Sequence, residues 1–136
     1  MVDCFCAPPD RAGEYWAAVG DVLIKPAFDN SLTDYETIAN AVMAGDMLLW
    51  LAWDGTEIYA ACVTQLGTSN GRRFCLIVAV GGRDMSRWLY LVNRLEQYAK
   101  DEGCQSIALI GRRGWERELP EYKVKRVTLE KELTYG

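Results

Sequence analysis

A strand–helix–strand run between Arg73 and Ile110 constrains the fold more than any other feature of the sequence. Arg73 to Val80 is a nearly continuous apolar run, which is typical of a strand buried on both faces. The spacing predicts a long helix from Asp84, as N-cap, to Glu102, and its buried stripe is Trp88, Leu91, Val92, Leu95 and Ala99. Ser106 to Ile110 is a second apolar strand. Two strands joined in this way lie parallel in one sheet, with a right-handed crossover.

The residues before this run predict an antiparallel hairpin. Met47 to Trp53 and Glu57 to Thr64 have strand composition, and Asp54-Gly55 lies between them. Such a dipeptide favours a type I′ turn, because that turn needs positive φ at both central positions. The polar residues from Gly67 to Gly71 predict a loop before the next strand.

The N-terminal third predicts one short strand and two helices. Val2 to Cys6 is the strand, and Pro9 to Gly20 is the first helix. Pro26 then breaks the chain, and a loop is expected after it. Thr33 and Glu36 have the spacing of a capping box at the start of the second helix.

The C-terminal residues predict one helical turn and a final strand. Trp115 to Leu119 is the turn, which Pro120 ends, and Val124 to Leu133 alternates in the manner of an edge strand. The predicted order is therefore β-α-α-β-β-β-α-β-α-β, an α/β fold with a central mixed sheet flanked by helices. The length of 136 residues indicates a single domain, 1–136.

Composition excludes several classes of function. A net charge of −4 argues against nucleic-acid binding, which needs a basic surface. The five cysteines form no Cys-x-x-Cys pair and the chain has no histidine, so no metal site is expected. Without histidine, a serine or cysteine hydrolase also lacks its usual base. The longest apolar run, Met47 to Trp53, is too short to span a membrane, and no signal peptide is visible. Reduced cysteines and a cytoplasmic location are expected.

The order of elements resembles the GNAT (Gcn5-related N-acetyltransferase) superfamily along essentially the whole chain. The most specific part runs from Phe74 to Ile110 and includes a helix that ends in Tyr98-Ala99-Lys100-Asp101-Glu102-Gly103-Cys104. The resemblance implies acetyl-CoA as cofactor, with its pyrophosphate at the turn between strand and helix. The implied cofactor-binding residues are Val80, Gly81, Gly82, Arg83, Asp84, Met85, Ser86 and Arg87. The turn departs from the family pattern, because its glycines come early and Asp84, Met85 and Ser86 occupy the late positions.

A narrower resemblance concerns the C-terminal quarter. Gly111 to Arg117 and Val127 to Leu133 are similar to the tail of small GNAT-like proteins of tailed bacteriophages and prophages. That resemblance implies a phage origin and allows a place in the virion. Arg112 and Arg113 would lie at the carboxyl end of a strand, where α/β folds place ligands.

Amine acetylation needs a base, an oxyanion donor and an acid for the leaving thiolate. The candidate bases are Glu57 and Glu116, and neither lies on the strand where the family often places a carboxylate. By resemblance, Tyr122 is the candidate acid, and the Val80 N–H is the oxyanion donor if the strand bulges there.

Three functions remain open from the sequence. The chain is an acetyl-CoA-dependent N-acetyltransferase, an inactive GNAT-fold phage virion or accessory protein, or a regulator that acts by binding a host protein. The last two predict a protein partner. Five tryptophans are rich for this length, and an exposed one would mark an interface.

Overall fold

The computed structural model describes residues 1–28 and 33–135, and its centre is one five-stranded sheet. The strands are β1 (Asp3–Cys6), β2 (Leu48–Trp53), β3 (Ile58–Ser69), β4 (Arg72–Gly82) and β5 (Ser106–Leu109). They lie side by side in chain order. All neighbours are antiparallel except β4 and β5, which are parallel and joined through a helix. The predicted α/β fold with a mixed sheet is confirmed.

Within the described residues, four α-helices accompany the sheet: α1 (Ala12–Val19), α2 (Tyr35–Ala44), α3 (Val92–Asp101) and α4 (Trp115–Glu118). A 3₁₀ turn at Pro9–Arg11 precedes α1, and a π-helical segment at Gly20–Ile24 extends it. A further 3₁₀ turn, Lys25–Phe28, carries helical structure past Pro26. The rest of the loop expected after Pro26, residues 29–32, lies outside the described residues. Among the described helices, none is both long and apolar enough to span a bilayer.

The sheet separates two packed layers. One core contains Leu49, Leu51 and Val63 from the sheet, together with residues of α1, α2 and the π-helical segment. The other core contains Trp50, Cys62 and Ile77 from the opposite face, with Leu95 of α3. These two sets alternate along β2 and β3, because successive side chains of a strand point to opposite faces. Helices therefore cover both faces of the sheet.

The two hairpin turns differ from the prediction. β3 continues through Gly67 to Ser69, and Asn70 and Gly71 form the turn with φ of 53° and 76°. Positive φ at both positions is the type I′ signature, so the predicted loop is instead a tight hairpin. Asp54 does not adopt positive φ, so the predicted type I′ turn at Asp54-Gly55 is wrong. Its carboxylate instead accepts hydrogen bonds from the N–H groups of Thr56 and Glu57, each at 2.8 Å.

The predicted capping box of α2 is wrong by one residue. Asp34 is the N-cap, and its carboxylate accepts a hydrogen bond from the Thr37 N–H at 2.7 Å. A carboxylate in the first turn also faces the positive end of the helix dipole. Asp34 therefore supplies the cap that the sequence argument assigned to Thr33 and Glu36.

The predicted final strand is wrong. Residues 122–135, the whole described tail, form neither helix nor strand. The alternation from Val124 to Leu133 specifies an extended conformation, but a strand also needs a neighbouring edge for its hydrogen bonds. The tail does not join β5, which pairs with β4 along one edge and forms the end of the sheet.

The five cysteines are free thiols in this structure. Cys62 and Cys75 are buried, and the other three are partly buried. Burial raises the pKa of Cys4 to about 11, and it raises the pKa of Cys75 to the same value. These thiols therefore stay protonated and poorly nucleophilic near neutral pH.

Candidate functional site between β4 and β5

The two parallel strands pair over only part of the length of β4. Pairing of β4 with β5 runs from Phe74 opposite Ser106 to Ile77 opposite Leu109. The Ile110 N–H donates to the Ile77 carbonyl at 3.1 Å and closes this ladder. β4 nevertheless continues along β3 as far as Gly82, opposite Ala60. An opening therefore forms between the last part of β4 and the end of β5.

A β-bulge marks the start of the opening. Val63 pairs with Ala79 while Thr64 pairs with Ile77, so Val78 is an extra residue in β4. Such a residue bends the bulged strand and increases its local twist. The bulge lies at Val78, two residues before Val80, where a bulge was the condition for the oxyanion role of the Val80 N–H.

A small apolar cavity lies beneath the opening. Its volume is about 50 Å³, which is more than the roughly 10–15 Å³ that one water molecule needs. Ile77 and Val80 of β4 line it together with Leu109 of β5. The sheet side of the cavity also includes residues of β1, β2 and β3, namely Cys4, Trp50, Leu51, Ala52, Ala60, Ala61 and Cys62. The opposite wall is built by α3, α4 and residues next to them, through Trp88, Leu91, Val92, Leu95, Trp115 and Leu119. The cavity can take the apolar part of a small ligand.

Gly81 and Gly82 belong to β4 and not to the turn after it. They pair with Ala61 and Ala60, so the turn begins at Arg83. A Cβ on Gly81 would overlap the carbonyl oxygen of Leu23 in the π-helical segment. A Cβ on Gly82 would lie 2.5 Å from the Tyr59 carbonyl oxygen. Close packing against these two backbones explains the glycine pair without a ligand.

The segment from Arg83 to Leu91 forms two 3₁₀ turns, Met85–Arg87 and Leu89–Leu91. The predicted helix start at Asp84 is therefore wrong, because α3 begins at Val92. Asp84 has left-handed φ of 55° and its side chain makes no cap. The buried Trp88 indole donates to the Arg83 carbonyl at 2.7 Å, and this contact holds the segment in a tight turn.

Two arginines of this segment lie against the ring of Tyr59. The guanidinium of Arg83 is 4.7 Å from the ring centroid, and that of Arg87 is 4.5 Å from it. Arg83 also pairs with Glu57 at 3.2 Å, and Arg87 donates to the Tyr59 hydroxyl at 2.8 Å. The predicted phosphate-binding arginines are thus brought together, and each already has a partner.

Asp54 anchors this cluster from the β2–β3 hairpin. Its carboxylate accepts from the Tyr59 hydroxyl at 3.0 Å. Hydrogen bonds from the N–H groups of Glu57 and Thr56 lower the pKa of Asp54 to about 2. The hydrogen bond to Asp54 in turn raises the pKa of Tyr59. The hydrogen bonds from Arg87 to Tyr59 and from Tyr59 to Asp54 therefore fix this arginine against the β2–β3 hairpin.

The proposed catalytic side chains lie in three separate places. Glu57 faces Arg83, and Glu116 is exposed on α4 next to Trp115. The Tyr122 hydroxyl donates to Glu96 of α3 at 2.8 Å. Burial, followed by this hydrogen bond, raises the pKa of Tyr122 well above its ordinary value. The structure does not gather these three groups around the opening, and their catalytic roles stay predictions.

Sequence reasoning missed Tyr59, Asp54 and the cavity wall formed by Leu119. Tyr59 and Asp54 reach the site through the pairing of β3 with β4, which links residues far apart in the chain. Alternation along β3, with Glu57 and Tyr59 on one face, was the available signal.

Arg112 and Arg113 lie exposed in the turn after β5.

Most tryptophans are core residues, as expected. Trp16, Trp50 and Trp88 are buried, and Trp115 is partly buried against the cavity. Trp53 is the exposed one, with 39% of its surface accessible.

No protein-family model matches the chain, and no curated protein matches its sequence. Solved structures are similar to it in fold. A ribosomal-protein-alanine N-acetyltransferase from Brucella melitensis biovar Abortus 2308 has 13% identity, a TM-score of 0.68 and full coverage of both chains. An aminoglycoside N-acetyltransferase in complex with CoA has 15% identity and a TM-score of 0.65, over 97% of this chain and 95% of that one.

A GNAT family acetyltransferase from Staphylococcus aureus has 13% identity and a TM-score of 0.63, over 97% of this chain and 98% of that one. These likenesses do not bear on the resemblance to phage proteins, which stays a prediction. They do agree with the order of elements, the parallel β4–β5 pair and the helices on both faces. The chain therefore has the fold of the GNAT acetyltransferases.

Proposed function

We propose that the protein binds acetyl-CoA, or a related acyl-CoA, in the opening between β4 and β5 and transfers the acyl group to an amine. The observation that carries this proposal is that pairing of β4 with β5 ends at Ile77 and Leu109 while β4 continues to Gly82. The part of β4 beyond this pairing can offer backbone groups to a peptide-like chain such as the pantetheine arm of CoA. The apolar cavity below suits the thioester end. The likeness in fold to an acetyltransferase solved with CoA supports the proposal.

The residues of the site fit the pantetheine arm better than the diphosphate. The N–H groups of Arg87 and Trp88 are bonded within the first 3₁₀ turn, which leaves those of Asp84, Met85 and Ser86 to meet a phosphate. Asp84 brings a negative charge there. We therefore expect acetyl-pantetheine to retain a large share of the binding free energy of acetyl-CoA.

The chain's own residues have distinct roles in this proposal. CoA supplies the thioester whose carbonyl is attacked. The N–H of Val80 polarises that carbonyl, because Val80 lines the cavity at the bulged strand. Glu116 would receive the amine proton through water, because it is exposed and follows the cavity-lining Trp115 in α4. Tyr122 holds its proton near neutral pH and acts as a hydrogen-bond donor to the sulfur only when it leaves Glu96.

Calorimetry with acetyl-CoA tests the proposal. The wild type is expected to bind at micromolar concentration. Leu119→Trp places a larger side chain at the edge of the cavity. We therefore expect the affinity of this variant for acetyl-CoA to fall at least about tenfold. Val22→Trp makes a similar increase at an exposed position of the π-helical segment and should bind like the wild type. Absence of wild-type binding at millimolar acetyl-CoA would reject the proposal.

A binding-only protein is the second candidate function. It is favoured by the pairing of Arg83 with Glu57 and of Arg87 with Tyr59, which occupies the charges that a diphosphate needs. Such a protein would act by contact with a partner, either in a virion or on a host protein. Micromolar acetyl-CoA binding, together with thiol release on addition of amines, would count against it.

A further inference from the structure

The C-terminal segment 124–133 has the sequence pattern of a strand, yet it lies outside the described sheet. Its apolar residues Val127, Leu129 and Leu133 are 75%, 91% and 67% exposed. They share one face of an extended chain with Lys125 and Lys131, because these five residues occupy every second position. Apolar side chains grouped in this way mark a surface that binds another chain.

The charges of this segment are complementary to a second copy of itself. The first half is basic, with Lys125 and Arg126, and the second half has a net negative charge, because Glu130 and Glu132 outnumber Lys131. Antiparallel pairing lays the first half of one copy against the second half of the other. Opposite charges across two strands stabilise the pair, and like charges destabilise it.

The same charges select one register. Suppose that the two-fold axis passes between the two Leu129 residues, so that their side chains meet at the centre. Arg126 of each copy then lies opposite Glu132 of the other copy, which gives two pairs of opposite charge. No residues of like charge are then opposite one another in 124–133.

The neighbouring two-fold registers have less favourable charge pairing. An axis through Thr128 places Lys125 opposite Lys131, and an axis through Glu130 places two glutamates together. Each of these arrangements opposes like charges across the strands.

We propose that the protein forms a two-fold dimer in which the segments 124–133 of two copies pair as antiparallel strands centred on Leu129. The hydrogen bond from Tyr122 to Glu96 holds the start of each segment beside α3. A two-stranded ribbon alone is marginally stable in water, so its apolar face must also rest on the folded domains. Ile110, just after the edge strand β5, is 57% exposed and offers apolar surface for this contact.

Charge reversal tests the register in the full chain by sedimentation equilibrium. The wild type should be dimeric at tens of micromolar. Arg126→Glu and Glu132→Arg each create two like-charge pairs, so each should raise the dimer dissociation constant by about tenfold or more. The double variant should restore wild-type dimerisation, because both pairs are reinstated with reversed signs. Lys100→Glu, an exposed reversal on α3, should leave the dissociation constant unchanged.

Three results would overturn the proposal. One is a wild type that stays monomeric at about 100 µM, well above the range expected for a specific dimer. Another is a dimer that the single reversals leave intact or the double reversal does not restore. The third is a monomer whose amides in 124–133 are protected from hydrogen exchange, since that would place the segment on its own copy.

Discussion

At the scale of single residues, Gly81 and Gly82 show how a motif associated with ligands can arise from packing. Their sequence position before a helix suggests a phosphate-binding turn. In the structure both lie in β4, and added side chains would meet the backbones of Leu23 and Tyr59. A large substitution at Gly82 would therefore disturb the fold together with any cofactor site. For this reason, binding experiments need variants at the cavity rim.

Gly81→Ala is expected to lower the free energy of unfolding by about 2–3 kcal/mol, because a Cβ must displace the Leu23 backbone. Gly114→Ala is the matched control. No atom lies within 4 Å of a Cβ built at Gly114, and its φ of −55° suits alanine, so stability should change little. Urea denaturation of both variants measures the difference. Equal stabilities would contradict the packing role of Gly81.

At the scale of elements, the sequence predicted helices and strands well where local patterns determine them. It predicted poorly the elements that depend on contacts with distant parts of the chain. The spans of β2, β4, β5 and α4 were predicted to within two residues, because periodicity and glycine or proline boundaries lie in the local sequence. The segment 124–133 alternates just as clearly, but the strand predicted there is wrong. A strand also depends on the edge of a neighbouring strand, which the local sequence does not specify. The predicted start of α3 is wrong because the Trp88 indole donates a hydrogen bond to the Arg83 carbonyl. This contact favours 3₁₀ turns in place of the first turns of the helix.

The β2–β3 hairpin provides a pH-dependent prediction. The pKa of Asp54 is lowered to about 2 in the folded protein from an ordinary value of 3.8. A lowered pKa means that the unfolded state binds the proton more readily, so this contribution to stability is present above about pH 4 and is lost as the pH falls toward 2. Asp54→Asn removes it.

The difference in melting temperature between wild type and Asp54→Asn should therefore be largest near neutral pH and should shrink as the pH falls from about 4 to about 2. Thermal denaturation monitored by circular dichroism across this range measures it. A difference that stays constant with pH would show that the Asp54 hydrogen bonds do not distinguish the folded from the unfolded state.

At the scale of the whole molecule, the candidate site depends on where the pairing of β4 with β5 ends. The sequence identified the parallel strands β4 and β5, and it named Val80, which lines the cavity. It did not predict Asp54 or Tyr59, which the β3–β4 pairing brings beside Arg87. Nor did it predict the cavity, because its lining residues come from segments that are far apart in the sequence. A shared fold does not fix an activity, so the ligand must be tested directly.

Backbone amide NMR during a titration with acetyl-CoA tests the proposed site most directly. Binding in the opening predicts the largest shift changes at Val78–Val80, at Asp84–Ser86 and at Leu109–Ile110. Residues around the distant Asn70–Gly71 turn should be unaffected and serve as the internal control. Unchanged spectra at millimolar acetyl-CoA, or changes confined to surfaces away from β4 and β5, would contradict an acyl-CoA site in this opening.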